Sequence, residues 1–304
     1  MDDTINFKII QKELEDYDRD IWNERKKKSK EYIEHFEEKS KCTIKIDESK
    51  YLLICPLGDE HLGHEGVDYE QAEKDAKEIG NCKYAFGIDA SDSTDNFIKQ
   101  KHLEAIISSD STPKQQIKLL QQYTEFFNGH YILSISGNHS NWSKKLTGVD
   151  WLAEFMKKNN VVYNRDEIRI YIELNGIKYS GKLRHKMRNK SMYNKTHGLK
   201  QNQRFYSDEI FDFLIGAHYH EPAIEQSENF GRTQTFLQTG TYKKSDPYAY
   251  EEGYGIGKTN MPCMIFNPFE KEIIPSFNIS TGIKLVNALN KELKNGKNNR
   301  RIKK

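Results

Sequence analysis

The sequence predicts an α/β fold built on a parallel sheet with helices on its faces. Two observations carry this. Apolar runs of strand length alternate with segments of helical period, in the order strand, helix, strand, helix, strand. Each run also stops at a turn signal followed by carboxylate, amide or imidazole side chains, and in such sheets ligands gather beyond the carboxyl ends of the strands.

The elements follow in order. Residues 7–39 lack Gly and Pro, and Ile10, Leu14, Tyr17, Ile21, Tyr32 and Phe36 recur at helical spacing, as one long helix or two shorter ones. Thr43-Ile44-Lys45-Ile46-Asp47 alternates like an edge strand. Tyr51-Leu52-Leu53-Ile54-Cys55 is a buried strand that delivers Asp59 and His61 in a turn. Residues 69–79 read as a helix stopped by Gly80, and the strand at 84–88 runs into Asp89-Ala90-Ser91-Asp92. A helical stretch passes through Ile106-Ile107. Thr112-Pro113-Lys114-Gln115 then has a capping hydroxyl, Pro at the first helical position and Gln for a capping box, and that helix runs to about residue 127. The strand at 131–135 ends in Gly137-Asn138-His139.

Asp150 caps a helix over 151–158, and Asn175-Gly176 joins two strands as a hairpin. Residues 211–216 form a further buried strand with His218 and His220 at its end. Residues 233–237 and 264–266 belong to a later, antiparallel portion, separated by a loop over 242–262 rich in Tyr and Gly.

The whole chain of 304 residues can bury one large core, and its net charge of +2 hides basic runs at Lys26-Lys27-Lys28 and Arg300-Arg301-Ile302-Lys303-Lys304. Cys42, Cys55, Cys82 and Cys263 show no Cys-x-x-Cys spacing and read as core residues in a reducing compartment. No apolar signal region or membrane-spanning run is evident, so a soluble, cytoplasmic protein without membrane contact is expected. The expected organisation is a charged helical segment with an edge strand (1–48), a main domain (49–285) and a basic, flexible tail (286–304). The N-terminal helix could also pair two copies into a homo-oligomer.

Placed in order, the strand ends read Asp59-x-His61, Asp89-x-x-Asp92, Gly137-Asn138-His139, an isolated His185, then His218-x-His220. Asp-x-His alone is weak, because Asp often bonds its own backbone in a turn. The five together resemble the calcineurin-like metallophosphoesterase superfamily, in the phage and bacterial branch related to double-strand-break repair exonucleases. The resemblance implies a layered α/β-β-α sandwich of mixed sheets flanked by helices, with a dinuclear metal site at the strand carboxyl ends. It implies that Asp59, His61 and His220 hold one cation and Asn138, His185 and His218 the other, with Asp89 bridging. A metal-bridging hydroxide would attack phosphorus, His139 would face the leaving oxygen, and Asp92 would orient His139. Oxygen and nitrogen ligands without thiolate suit Mn first, with Fe, Zn or Mg as alternatives.

Departures accompany the likeness. Ile88 rather than Gly precedes Asp89, Ala217 stands between Gly216 and His218, and Ser93 occupies the place of an Arg common in Ser/Thr protein phosphatases. His197 is the alternative to His185 as the fourth-motif ligand. Arg184, Lys186, Arg188, His197 and His64 are candidates for substrate contact, since the stretch from Lys182 to Lys190 is densely basic and could follow a phosphate backbone. Tyr242, Tyr248, Tyr250 and Tyr254 could stack bases. The function expected is a nuclease or phosphodiesterase acting on nucleic acid, with DNA as the first candidate. Hydrolysis of a small phosphoester such as a cyclic nucleotide, or a non-catalytic metal-binding scaffold, are the alternatives.

Overall fold

A computed structural model describes residues 19–39, 41–96, 111–229, 231–245 and 259–302. The expected helical stretch at Ile106-Ile107, residues 7–18 of the expected first helix, and Tyr248, Tyr250 and Tyr254 lie outside these residues.

The chain divides into two compact units, residues 1–39 and 40–304. In the first, α1 (Arg19–Lys39) carries ion pairs one helical turn apart, Glu24 with Lys28, Lys27 with Glu31 and Lys30 with Glu34. Such exposed pairs stabilise an isolated helix by about 0.2–0.5 kcal/mol each.

The second unit runs β1 (Lys41–Ile46), β2 (Leu52–Leu57), α2 (Tyr69–Gly80), β3 (Ala85–Asp89), α3 (Pro113–Phe126) and β4 (Tyr131–Ile135). It continues with α4 (Asn138–Thr147), α5 (Trp151–Lys158), β5 (Val162–Asn164), β6 (Glu167–Leu174), β7 (Ile177–Arg184) and α6 (His197–Tyr206). It closes with β8 (Phe213–Gly216), β9 (Ala223–Asn229), β10 (Arg232–Gln238), β11 (Cys263–Phe266), β12 (Ile273–Ser276) and α7 (Ile279–Ile302). The capping box expected at Thr112 is present, with the Thr112 hydroxyl accepting from the Gln115 amide and the Gln115 side chain accepting from the Thr112 amide.

Among the described residues there are two six-stranded sheets, ordered β1-β6-β7-β8-β10-β9 and β12-β11-β2-β3-β4-β5. In the second, β2 to β5 pair in parallel and β11 and β12 add antiparallel strands, so the sheet is mixed. The register of β3 on β4 slips between Gly87 and Ile88, next to the residue where Gly was missing ahead of Asp89. Strand β10 pairs in parallel with β8 and antiparallel with β9, so the later part is only partly antiparallel.

The sheets pack face to face. Leu52, Ile54, Ile88 and Leu133 of one meet Ile168, Ile170, Ile172 and Phe213 of the other. This explains the sequence patterns: β6 alternates half-buried and buried residues because only one of its faces meets that core, whereas β2 is buried along its whole length. The far face of the second sheet is covered by α2, α3, α5 and α7 through Ala72, Ala76, Leu120, Leu152, Met156 and Ile279. The far face of the first receives α6 through Leu199, against Leu214 and Phe236. The result is the expected α/β architecture, a layered sandwich of mixed sheets flanked by helices.

Two boundaries differ from expectation. Strand β1 lies in the large unit, paired in parallel with β6, because its register places Ile44 beside Ile172 at the sheet edge. Helix α7 runs unbroken through residue 286, where a flexible tail was expected. Val286 is buried, and the Asn290 amide accepts from the Tyr51 N–H at 2.8 Å and donates to the Tyr51 carbonyl at 3.0 Å, docking the helix at the start of β2. No described helix is long and apolar enough to cross a membrane. All four cysteines are free thiols.

Candidate metal centre

The loops after β2, β3 and β8 converge at one end of the sandwich. The Asp59 and His61 amides donate to the Ser91 and Asp92 carbonyls at 2.8 and 3.0 Å, tying the first two loops together. Asp59, His61, Ser91, Asp92, His218 and His220 all have positive φ, between 50° and 79°. Left-handed backbone at non-Gly residues costs on the order of 1–3 kcal/mol each and persists where the surrounding structure imposes it. Here it turns carboxylates and imidazoles toward one another.

Three groups of ligand-type atoms result: Asp59 with His61 and His220, Asp92 with His185 and His218, and His61 with Asp95 and His139. In the first, Nε2 of His61 lies 3.0 Å from Nε2 of His220, and Asp59 Oδ1 stands 3.5 Å from Nε2 of His220. In the second, Nε2 of His185 lies 3.0 Å from Asn138 Oδ1, 3.0 Å from Asp92 Oδ2 and 3.2 Å from Nδ1 of His218. The groups are joined by the His218 amide, which donates to Asp59 Oδ2 at 2.6 Å.

These residues fit divalent cations by their own chemistry. Asp59 Oδ1 is a buried carboxylate oxygen with no hydrogen-bond donor among the described residues. The His61 Nδ1–H is placed to donate to Asp95 Oδ1 at 3.1 Å, and the His185 Nδ1–H to the Ala90 carbonyl at 2.8 Å, which leaves both Nε2 lone pairs pointing into the groups. Burial opposes charge on His185, yet Asp92 raises its pKa to about 9, so a cation taken up at Nε2 would displace a proton there. Burial and the neighbouring His185 push His218 down to about 4. Burial would raise Asp92, but His185 and His139 hold it well below the usual carboxylate range.

Of the residues picked out from sequence, Asp59, His61, Asp92, Asn138, His139, His185, His218 and His220 are brought together. Asp89 is not. Its Oδ2 accepts from Ser134 Oγ at 2.7 Å and Ser93 Oγ at 2.9 Å, and its Oδ1 from the Ser91 amide at 2.6 Å. The carboxylate is hydrogen-bonded to the β3 loop and to β4, and Asp92 stands among the ligand-type atoms instead. The expected partnership of Asp92 with His139 also changes: the two side chains stand 3.9 Å apart, and the closer tie is the His139 backbone amide donating to Asp92 Oδ1 at 3.0 Å. The His139 Nδ1–H is directed at the Asp95 carbonyl.

Asp95 is the residue that sequence reasoning missed. The signal was present, since Asp92-x-x-Asp95 repeats the spacing of Asp89-x-x-Asp92 three residues later, and only the strand end tells the two registers apart. Lys243, almost fully buried, lies 3.7 Å from Asp95 Oδ1 and was missed as well. Asn138 and His139 open α4, a helix not foreseen, so the Asp92 carboxylate sits at a helix N-terminus, where negative charge is favoured.

The candidates for substrate contact divide. His185, and not His197, joins the metal-type groups; His197 begins α6, with Nε2 3.2 Å from Gln201 Nε2. His64 is buried, and its Nδ1 accepts from the Gly66 amide at 2.9 Å. The basic stretch is partly neutralised. Glu167 takes Arg184 at 2.6 Å and Lys182 at 3.4 Å, and Lys190 pairs with Glu221 at 3.6 Å. Lys186 and Arg188 are exposed and have no carboxylate partner among the described residues. Tyr242 is fully buried and donates to Asp75 Oδ2 at 2.9 Å, so it is not a platform for bases.

No family model matches the sequence, and no curated protein matches it. Among solved structures, the chain is similar to Vps29 of Chaetomium thermophilum at 10% identity and a TM-score of 0.35, over 74% of this chain and 96% of that one. It is similar to a Thermotoga maritima protein solved by NMR at 11% identity and a TM-score of 0.30, over 74% and 99%. It is also similar to GAP50, the anchor in the inner membrane complex of Plasmodium, at 11% and 0.35, over 75% and 84%.

Proposed function

We propose that this chain is a metallophosphoesterase with two divalent cations, Mn in the first instance, that hydrolyses phosphodiester bonds in nucleic acid, with DNA as the first candidate. The observation that supports it is the convergence of Asp59, His61 and His220 beside Asp92, Asn138, His185 and His218, with a buried carboxylate oxygen of Asp59 lacking a donor among the described residues. In this reading the first three residues hold one cation, Asn138, His185 and His218 hold the other, and Asp92 is the carboxylate shared between them. Two such ions would polarise a phosphoryl group and lower the pKa of water toward neutrality.

The remaining steps belong to the chain. With Nδ1 committed to the Asp95 carbonyl, His139 has Nε2 as the atom able to give a proton to a leaving oxygen. Burial lowers the pKa of His139, and an entering phosphate anion would raise it toward the protonated form that a general acid needs. Lys186 and Arg188, next to His185 in sequence and free of carboxylate partners among the described residues, would receive the flanking phosphates.

Neutralisation of Lys182, Arg184 and Lys190 favours a second reading, a small phosphoester such as a cyclic nucleotide. The test is elemental analysis of the purified protein, then incubation with Mn and single- and double-stranded DNA, beside a cyclic nucleotide. Cleavage of DNA that is lost with chelator and in Asp92→Asn is expected. Cleavage of the cyclic nucleotide alone would select the second reading, and inactivity on every ester with metal bound would sink both.

A further inference from the structure

A cavity of about 520 Å³ opens between α6 and the sheet edge formed by β9 and β10, lined by His197, Lys200, Gln201, Arg204, Phe205, Asn229, Gln234 and other side chains. This volume lies within the range of small-molecule sites, about 300–1,000 Å³. None of these residues belongs to the metal-type groups.

Its chemistry is specific. Phe205 is 59% exposed at the rim, and the Arg204 guanidinium lies over its ring, 5.1 Å from the centre. Arg204 has no carboxylate partner among the described residues, unlike Lys200, which is paired with Glu225 at 2.8 Å. Gln201 and Asn229 also line it, but their amides are engaged within the protein, Gln201 with His197 and Asn189 and Asn229 with Ser227 Oγ. At the floor, Gln234 is buried; its Nε2 donates to the Phe211 carbonyl at 2.7 Å, and its Oε1 is an acceptor with no donor among the described residues. A flat ring, an unpaired guanidinium and a buried acceptor together call for a planar heterocycle with an N–H group and an attached anion.

We propose that this cavity binds a nucleotide whose base carries an exocyclic amine, with the base against Phe205, the amine toward Gln234 and the phosphate on Arg204. The assignment is independent of the phosphoesterase reading, since it uses none of the metal-type residues.

The test is calorimetric titration of the full chain in the presence of chelator, so that metal chemistry plays no part. AMP, IMP, and short single-stranded oligo(dA) and oligo(dT) are the probes. Saturable binding of AMP is expected, at least tenfold tighter than IMP, which lacks the amine, and at least tenfold weakened in Arg204→Ala and in Phe205→Ala. Both side chains are exposed, and unchanged thermal melting of the variants would show that the fold is intact. Oligo(dA) no tighter than AMP would mark a site for free nucleotide; oligo(dA) that is tighter and equally sensitive to Arg204→Ala would mark a site on a strand. Absence of AMP binding, equal binding of AMP and IMP, or binding unchanged in both variants would overturn the proposal.

Discussion

Oδ2 of Asp92 lies 3.0 Å from Nε2 of His185, while Asp89, three residues earlier, spends both carboxylate oxygens on Ser134, Ser93 and the Ser91 amide. The two acids therefore separate by experiment. Asp92→Asn is expected to lose bound metal and phosphodiesterase activity while melting near the wild-type temperature. Asp89→Asn is expected to retain metal but lose stability by about 1–3 kcal/mol, since it disturbs a buried hydrogen-bonded acid. Elemental analysis and urea denaturation of both variants check this, and the reverse pattern would return the bridging role to Asp89.

Asp95 acts on the site through His61. Its Oδ1 faces Nδ1 of His61 at 3.1 Å and so fixes which ring nitrogen carries the lone pair. Removing such a partner typically costs about 10–100-fold in metal affinity or activity. Asp95→Asn is expected to fall in that range, read by competition with a metallochromic chelator.

His139 should behave differently from the proposed ligands. If Nε2 serves as the proton donor, His139→Ala should lower kcat by about 10²–10⁴-fold while leaving metal content unchanged. The loss should shrink for an ester with an activated leaving group, such as a p-nitrophenyl diester, because that leaving oxygen needs less protonation. Equal losses on both esters would remove His139 from the role of acid.

Gly137 has an extended backbone that any residue could adopt, with φ of −112°, so its place is explained by space. A Cβ there would come within 2.2 Å of Asp92 Oδ1, the oxygen that accepts the His139 amide. Gly137→Ala is expected to displace Asp92 and reduce metal affinity by about 10–100-fold. Metal titration of the variant is the measurement.

Asp75 on α2, which is not one of the ligand-type residues, has its pKa raised to about 6 by burial, against hydrogen bonds from Tyr242 and Gln71 that favour the charged form. The folded-state value lies above that of the unfolded chain, near 3.9, so the native state binds more protons between the two. Stability from this group is therefore highest below about pH 4, falls as pH rises toward about 6, and is flat above; the span is on the order of 2–3 kcal/mol. Asp75→Asn should flatten this part of the profile between pH 4 and 7, measured by denaturant unfolding of both proteins at each pH.

Much of this was legible in the sequence because it is local. The helix at Pro113 follows from its cap, the hairpin at Asn175-Gly176 from its turn, and β2 from a continuous apolar run, and each lies where the sequence placed it. The helices α4 and α6 were hidden because both are short and polar and start at residues singled out for chemistry, Asn138 and His197. The docking of α7 was hidden because it depends on Asn290 meeting Tyr51, a contact between residues far apart in the chain.

By itself, then, the sequence determined the alternation of the first strands and helices, β2 to β4, and the side chains available at the strand ends. Both follow from periodicity and from which residue types can bind a cation. Only the tertiary structure decided which of two equally spaced acids faces the imidazoles, that His185 and not His197 joins them, and that Lys182 and Arg184 are spent on Glu167. Those choices depend on where β3 ends, on the left-handed turns that follow it, and on strands that meet only in the folded sheet.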